Sequence, residues 1–300
     1  MEKIKQIQQK IEELNNLVLH HSTKKISFSQ FQLYSNCEYQ WYLSYVQKEG
    51  YQSPNINMVF GTTFHNTIQQ YLKLYFDNQH TNFNWELFYQ EKYSEEYQKQ
   101  FENNKDTHFS SAKELDEFYN DGKTLLSYII ENIKSLFNNK EYKLVGIEIP
   151  IIHKIKDETY FRGFIDICLY HIKSGTYMLY DIKTSRSGWT DSQKKDGTKI
   201  SQLILYKKYF AEQYNIPIEN IKTEYFIVRR KTYKTQYGTT KPVQSFTPAD
   251  GKNTLNKVTK NFNKFLDESL INPKDKYFKN KESCKYCPFT KNTELCDKKN

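Results

Sequence analysis

Residues 161–183 read FRGFIDICLYHIKSGTYMLYDIK, and the rest of the chain is organised around this stretch. Two apolar runs separated by a short polar turn at Gly175 predict the two strands of a hairpin. Asp166 lies inside the first strand, Asp181 closes the second, and Lys183 follows two residues later. Because side chains alternate faces along a strand, residues 181 and 183 point the same way, and the hairpin brings Asp166 near them. Two carboxylates and an ammonium at adjoining strand ends form a candidate site for a divalent cation and a phosphodiester.

Hydrophobic periodicity predicts further elements on both sides of the hairpin. Ile and Leu at helical spacing predict an amphipathic helix over residues 3 to about 19, and Ser29 with Gln32 predicts a capping box for the next helix. Alternating apolar residues predict a strand from Tyr142 through Ile151. The other predicted helices cover residues 58–76, 84–103, 112–138, 200–214 and 249–269, and a last strand covers residues 223–231. The predicted connectors are a flexible, basic loop over residues 184–199 and a loop or hairpin over residues 231–246.

The order of these elements predicts an α/β fold, in which a mixed sheet is flanked by helices and preceded by a helical insertion. Four regions are expected: an N-terminal amphipathic helix, a helical segment, an α/β core, and a C-terminal helix with a cysteine-rich tail. Their predicted limits are residues 1–25, 26–140, 141–248 and 249–300.

The composition favours a polyanionic partner. The 300 residues carry 44 Lys and Arg against 35 Asp and Glu, which gives a net charge of +9. A basic balance suits binding to nucleic acid through phosphate neutralisation and counterion release. Heavy use of Tyr, Asn, Lys and Ile is typical of AT-rich coding, and we take it to indicate a phage or mobile-element origin.

The sequence predicts neither a membrane span nor a secretory signal. Its apolar runs stay below the roughly 18–20 residues that a spanning helix needs. The N-terminal residues MEKIKQIQQKIEELNN lack an apolar signal core. We therefore expect an intracellular, cytoplasmic protein with no membrane partner. In such a chain, an odd number of cysteines, here five, favours metal ligation or burial over a disulfide framework.

The carboxylates of the central hairpin suit metal-assisted chemistry. Hydrolysis of a phosphodiester needs charge neutralisation on the phosphoryl oxygens and an activated water, and a Mg²⁺ ion held by carboxylates supplies both. We expect Asp166 and Asp181 to be metal ligands, with the backbone carbonyl of Ile182 in the same shell. Lys183 is expected to orient the water or to stabilise developing negative charge.

The order of four motifs resembles a known group of enzymes. The motifs are a helical histidine at His65, GFID at residues 163–166, DIKT at residues 181–184, and Gln202 with Tyr206 on the next helix. In this order and spacing they resemble the PD-(D/E)xK nucleases, specifically the RecB-like branch of CRISPR-adaptation nucleases and AddB-like exonucleases. The resemblance covers roughly residues 26 to 296 and implies a restriction-endonuclease-like fold.

The resemblance also implies roles for individual residues. His65 would complete a Mg²⁺ or Mn²⁺ shell as a neutral imidazole. Gln202 and Tyr206 would line the DNA path or hold the catalytic elements in place. Glu148, on the preceding strand, would either assist a second metal or be an exposed strand glutamate. Further DNA-binding or supporting residues are Thr184, Arg162 and Arg186.

The cysteines form a second pattern. Cys284 and Cys287 have the C-x-x-C spacing that places two thiolates on one metal, and Cys296 follows. Several RecB-like nucleases hold a [4Fe-4S] cluster with one cysteine before the core and three after it. The resemblance therefore implies a structural cluster on Cys37 and these three residues, which would staple the tail to the N-terminal helical segment. Because Glu38 replaces the proline that the family often has there, and the gap before Cys296 is long, zinc in a Cys₄ site is the alternative.

Cys168 lies outside the cluster pattern, and we expect it to be buried as a small hydrophobic residue. Taken together, the motifs imply a Mg²⁺- or Mn²⁺-dependent deoxyribonuclease. The resemblance implies an exonuclease on single-stranded or end-exposed DNA, working with recombination, repair or replication proteins. One alternative is a catalytically silent DNA-end-binding or scaffold protein, which the presence of Asp166, Asp181, Lys183 and His65 disfavours. The other is an endonuclease that recognises its target through the loop at residues 232–248.

Overall fold

The computed structural model describes residues 2–17, 24–49, 54–236, 238–291 and 295–296. The strands are β1 (Lys24–Ile26), β2 (Tyr142–Lys156), β3 (Thr159–His171), β4 (Thr176–Ser185), β5 (Ile221–Arg229), β6 (Lys234–Thr235), β7 (Gly238–Thr239) and β8 (Val243–Phe246). The helices are α1 (Glu2–Asn15), α2 (Phe28–Asn36), α3 (Glu38–Trp41), α4 (Ile56–Phe76), α5 (Trp85–Asn103), α6 (Ala112–Glu131), α7 (Ile133–Leu136), α8 (Asp191–Lys195), α9 (Gly197–Tyr214) and α10 (Lys252–Leu266). The π-helical turns Tyr42–Val46 and Asp267–Ile271 extend α3 and α10.

One mixed sheet is built around the long strand β3. β2 runs antiparallel along one edge of β3, and the other edge is shared by two strands. β1 pairs in parallel with residues 159–161, whereas β4 pairs antiparallel with residues 167–171 and completes the predicted hairpin. β5 continues the sheet parallel to β4, and β8 closes it. Because β1 and β4 occupy opposite ends of one edge, they leave a fork along residues 162–166 of β3.

The two faces of the sheet lie in two hydrophobic cores. On β5, Tyr225 and Ile227 enter a core that includes residues of α1, α2, α9 and α10, here called the α9 core. Phe226 and Val228 enter a core shared with α4, α5 and α6, here called the α4 core. This alternation is expected of a strand that is buried on both faces. The predicted α/β fold, a mixed sheet flanked by helices, is therefore confirmed.

The paired strands β2 and β3 rotate together at one point. Ile149 and its partner Ile165 lie in the α9 core, whereas Ile147 and its partner Ile167 lie in the α4 core. Residues two apart on a regular strand share a face, so both strands must turn between these pairs. Glu148, in the middle, has a φ of 50°, in the left-handed region that few non-glycine residues adopt. The turn lies directly beside the fork.

Two local predictions are wrong because side-chain capping starts helices elsewhere. The predicted capping box of Ser29 and Gln32 is replaced by Ser27, whose backbone is extended and whose Oγ accepts a hydrogen bond from the Gln30 N–H at 3.4 Å. The predicted flexible loop at residues 184–199 contains α8 and the start of α9. A reciprocal capping box at Thr190 nucleates α8 by satisfying the free N–H groups of its first turn.

Other boundaries shift by a few residues. The helix predicted over residues 112–138 breaks at Asn132 into α6 and α7, and the last helix begins at Lys252. The predicted helix end near residue 19 lies outside the described residues, and the predicted domain limits stay predictions. Among the residues that the structure describes, no helix is both long and apolar enough to cross a membrane.

Candidate active site

The fork places two carboxylates where β3 and β4 separate. The last pair of the ladder is Ile167 with Tyr180, and Asp166 and Asp181 follow it on the two diverging strands. The Ile182 N–H donates a hydrogen bond of 2.6 Å to Asp166 Oδ2. A side-chain carboxylate thus satisfies a backbone donor that lies just past the end of the ladder. This contact fixes Asp166 across the fork.

Lys183 lies beside these carboxylates, on the same face of β4 as Asp181. Its Nζ is 2.8 Å from Asp181 Oδ2 and donates a hydrogen bond of 3.0 Å to Gln202 Oε1 on α9. Burial acts to lower the pKa of Lys183, but the charges of Asp181 and Asp166 outweigh it and raise that pKa. Lys183 is therefore a cation at neutral pH.

The carboxylates are costly to keep ionised. Burial, followed by the charge of Asp181, raises the pKa of Asp166 well above its usual range, and burial also raises the pKa of Asp181. Asp181 is 2% exposed, and its Oδ2 receives no well-oriented hydrogen bond from the described residues despite the nearby ammonium. Two neighbouring carboxylates that share one ammonium are therefore hard to ionise together without a further cation. Since hard divalent cations prefer oxygen ligands, this donor set fits such a cation.

His65 reaches the carboxylates from α4. Its Nδ1 is 3.7 Å from Asp166 Oδ2, and its ring makes a backbone hydrogen bond with Ile182. Burial, and then the charge of Lys183, lowers the pKa of His65 to about 4. The imidazole is therefore neutral at neutral pH, the state in which a nitrogen can bind a metal. One turn earlier, Gly61 faces β4, and a Cβ there would lie at contact distance, 3.4 Å, from Thr184 Oγ1.

Gln69 is a site residue that the sequence reasoning missed. Its Nε2 donates to Glu148 Oε1 at 2.6 Å and approaches the backbone carbonyl of Asp166 at 3.4 Å. Glu148 is exposed, but partial burial of its carboxyl raises its pKa. Gln69 therefore links Glu148 to the carboxylate pair. Its position four residues after His65, on the same face of α4, was the available signal.

The Gly-x-x-Asp and Gln-x-x-x-Tyr motifs contact each other. A Cβ on Gly163 would lie 2.6 Å from the Tyr206 ring, so only glycine lets that ring lie against β3 inside the fork. Tyr206 makes a backbone hydrogen bond with Phe164, and Gln202 Nε2 lies 3.5 Å from the Tyr206 hydroxyl. Gln202 in turn accepts from Lys183. The two motifs therefore hold α9 against the fork and orient the lysine.

Arg162 and Arg186, the two arginines predicted to contact phosphate, lie in different environments. Arg162 lies on the fork edge of β3, with its guanidinium 5.2 Å from the centre of the Phe164 ring. Its Nε is buried and has no hydrogen-bond partner among the described residues. Arg186 is exposed just beyond the end of β4.

The four cysteines of the second pattern come together from both ends of the chain. Cys37, Cys284, Cys287 and Cys296 line one small cavity beside Leu43 and Phe289. Cys37 lies at the junction of α2 and α3, where the Asn280 N–H donates to its sulfur at 3.4 Å. The described cysteines form no disulfide. The fifth, Cys168, is fully buried in the α9 core, as predicted.

Glu38 binds the C-terminal tail directly. The family that the sequence resembles often has proline at this position. Its two carboxylate oxygens lie 3.0 and 3.1 Å from Lys274 Nζ, and Oε2 accepts from the Phe278 N–H at 3.2 Å. Lys274 also pairs with Glu268 at 2.9 Å. This ion-pair network joins α3 to the tail independently of the cysteines.

Neither group of ligands is arranged as a finished metal shell. In the described parts of the chain, no three or more His, Cys, Asp or Glu side chains stand in an arrangement that could hold a metal ion. At the fork, the reason is that Asp166 is turned to the Ile182 N–H and Asp181 to the Lys183 ammonium. The predicted Mg²⁺ or Mn²⁺ ligands and the predicted cluster stay predictions.

The chain matches the model of a known protein family. A family model described as the PD-(D/E)XK nuclease superfamily matches residues 25–292. No curated protein matches the chain.

Proposed function

The chain belongs to the PD-(D/E)XK nuclease superfamily, and from this membership we propose that it is a Mg²⁺- or Mn²⁺-dependent deoxyribonuclease. The observation that carries the proposal is the convergence of Asp166, Asp181 and Lys183 at the fork. The Ile182 N–H lies 2.6 Å from Asp166 Oδ2, and Lys183 Nζ lies 2.8 Å from Asp181 Oδ2. Neighbouring carboxylates that can bind a divalent cation, beside a fixed ammonium, suit metal-assisted hydrolysis of a phosphodiester.

Four groups would hold the metal: the carboxylates of Asp166 and Asp181, the carbonyl of Ile182 and the neutral imidazole of His65. When bound, the ion supplies charge neutralisation on the phosphate and lowers the pKa of water. Glu148, tied to the site by Gln69, would serve a second ion. All of these are oxygen or imidazole ligands, which Mg²⁺ and Mn²⁺ accept.

Lys183 has the properties of a group that acts on the phosphate. It is positively charged at neutral pH, and Gln202 and Asp181 fix its ammonium from two sides. We assign it the orientation of the attacking water or the stabilisation of charge that develops on the phosphoryl oxygens. Thr184, next along β4, lies close to Gly61 of α4, and we assign it a supporting role beside the site.

The finer proposal is an exonuclease of the RecB-like branch that acts on single-stranded or end-exposed DNA. Its support is the contact between Gly163 and Tyr206 and the hydrogen bond between Gln202 and Lys183, which give the branch motifs a physical function here. Roles in recombination, repair or replication, with protein partners from those processes, belong to the same proposal.

A digestion assay tests this proposal. Linear single-stranded, linear duplex and covalently closed circular DNA are incubated with the protein in Mg²⁺, in Mn²⁺ and in a chelator. We expect the linear forms to be degraded only with metal, and closed circles to survive. Cutting of closed circles at the same rate would favour the endonuclease alternative, and binding without cutting in any metal would favour the scaffold alternative.

The proposal extends to a structural [4Fe-4S] cluster on Cys37, Cys284, Cys287 and Cys296. Its support is that all four line one cavity, and that burial followed by the neighbouring thiols raises the pKa of Cys287. A metal that binds such buried, closely spaced sulfurs holds them as thiolates and offsets the cost of deprotonating them. The cluster would staple the tail to α2 and α3.

Iron content tests the cluster. Protein purified without oxygen should be brown and contain about four irons per chain. Cys37→Ala should lose most of that iron, whereas Cys168→Ala, which removes the buried thiol of the α9 core, should keep it. One zinc per chain without iron would instead support the Cys₄ zinc alternative.

A further inference from the structure

The fork opens into a groove of about 690 Å³ that reaches Lys183. This fork groove has a floor formed by Lys183, Gln202 and Tyr206. One wall comes from Lys25 and the start of α2, and the other from residues 162–164 of β3. Its volume lies in the range of about 300–1,000 Å³ that is typical of ligand sites. The groove is therefore a continuation of the candidate active site.

Charge distinguishes the fork groove from three other grooves among the described residues, though not from the small cysteine cavity, whose one charged lining side chain is Lys279. The charged side chains that line the fork groove are Lys25, Arg162 and Lys183, all of them cations. The three other grooves each combine lysine with aspartate or glutamate. A groove lined by one sign of charge focuses its potential and attracts a polyanion.

The wall on β3 offers contacts to both parts of a nucleotide. Arg162 has a buried Nε with no hydrogen-bond partner among the described residues, and arginine is well suited to phosphate oxygens. Phe164, beside it, is partly exposed. Aromatic rings in basic grooves stack on the bases of single strands, which are free of pairing partners.

We propose that the fork groove binds the single-stranded segment that adjoins the scissile phosphate. Lys25 and Arg162 contact its phosphates, and Phe164 stacks on a base. This inference rests on the proposed nuclease function and specifies which part of the substrate the chain holds, and with which residues.

Two adjacent lysines on β1 provide a matched test. Lys25 lines the fork groove, whereas Lys24 lines a separate groove that also contains Asp157 and Glu158. Both side chains are exposed, so neither substitution removes a buried contact. Fluorescence anisotropy would measure binding of a labelled oligothymidine, with Ca²⁺ in place of Mg²⁺ so that the strand is not consumed.

We expect Lys25→Glu to weaken binding by about tenfold, and Lys24→Glu, which changes net charge equally, by less than about twofold. Lys25→Ala should lower the slope of log affinity against log salt by about 0.7, the value for one phosphate contact on a single strand. Equal losses at Lys24 and Lys25 would mean that net charge alone governs binding, and would overturn the proposal. So would the absence of any loss at Lys25.

Stacking on Phe164 is tested separately with an abasic strand of the same length. Phe164→Ala should weaken binding of the intact strand by about fivefold or more and leave the abasic strand nearly unaffected. Equal weakening of both strands would reject the stacking contact.

The binding test and the digestion assay fail independently. A chain that binds the strand through Lys25 but cuts no DNA in any metal contradicts the proposed function and supports the groove. A chain that cuts DNA but binds equally with Lys24→Glu and Lys25→Glu supports the proposed function and contradicts the groove.

Discussion

Lys183→Ala is expected to lower kcat on linear DNA by about 10²–10³-fold or more, the range for loss of one fixed group that stabilises transition-state charge. The reason is its geometry: Asp181 and Gln202 hold the ammonium at 2.8 and 3.0 Å, so it needs no reorganisation when charge develops on the phosphate. The measurement is single-turnover cleavage with saturating metal, which separates chemistry from binding.

Lys207 provides the control for this variant. Lys207 lies on α9, is buried, and pairs with Asp250 at 2.7 Å. Lys207→Ala removes a buried lysine ion pair that involves neither Asp166 nor Asp181. We therefore expect lower thermal stability but an almost unchanged cleavage rate for the folded fraction. Undiminished cleavage by Lys183→Ala would remove Lys183 from the mechanism.

Asp166→Asn is expected to abolish activity and, in the absence of metal, to stabilise the protein. Activity should fall more than about 100-fold, because mutating a residue that only hydrogen-bonds a metal ligand already lowers metal affinity or activity by about 10–100-fold. The free energy of unfolding should rise at pH 7 because the folded protein no longer holds a buried carboxylate beside Asp181. The Asn side-chain oxygen can still accept from the Ile182 N–H.

The stabilisation should depend on pH with a definite sign. Folding raises the pKa of Asp166 above its unfolded value of about 3.9. Its contribution to the free energy of unfolding is therefore most favourable below that pH and is lost as the pH rises through the raised pKa. Wild-type protein should therefore lose stability relative to Asp166→Asn as the pH rises from about 4 to 7. Each unit by which the pKa is raised corresponds to about 1.4 kcal/mol.

Chemical denaturation in a chelator at several pH values would measure this difference. Asp121→Asn is the matched control, because Asp121 pairs with Arg230 and Lys231 at 2.6 and 2.9 Å. Glu117 shares these two cations, so that cluster has one cation for each carboxylate. We expect that variant to be equally or less stable than wild type. A stability difference between wild type and Asp166→Asn that does not change with pH would contradict the electrostatic account of the site.

The sequence was sufficient for the central hairpin and for the residues that meet in the fork. Asp166, Asp181 and Lys183 follow from strand alternation and one polar turn, which are local properties of the chain. His65, Gln202 and Tyr206 were identified only by resemblance to a family, because helical spacing alone does not say which strand a helix covers. Their contacts with Lys183 and Gly163 are tertiary and appear only in the folded chain.

Other features had no local signal. The rotation at Glu148 places a non-glycine residue in the left-handed region, which no pattern of apolar residues predicts. The role of Gln69 depends on that rotation, since the rotation brings the Glu148 carboxylate to α4. The segment around α8 is polar and basic and lacks hydrophobic periodicity, so it predicts a loop even though a capping box at Thr190 begins a helix there.

The fork has a further consequence for how the protein is made. β1 is synthesised early, but its partner is β3, with Lys24 paired to Thr159 in parallel. Such distant pairing is slow, and until β3 leaves the ribosome β1 is an unpaired strand edge. The helices α4, α5 and α6 can pack locally in that interval, whereas both walls of the fork form only when the first and the middle parts of the chain meet. The groove can therefore take shape only after the middle of the chain has been made.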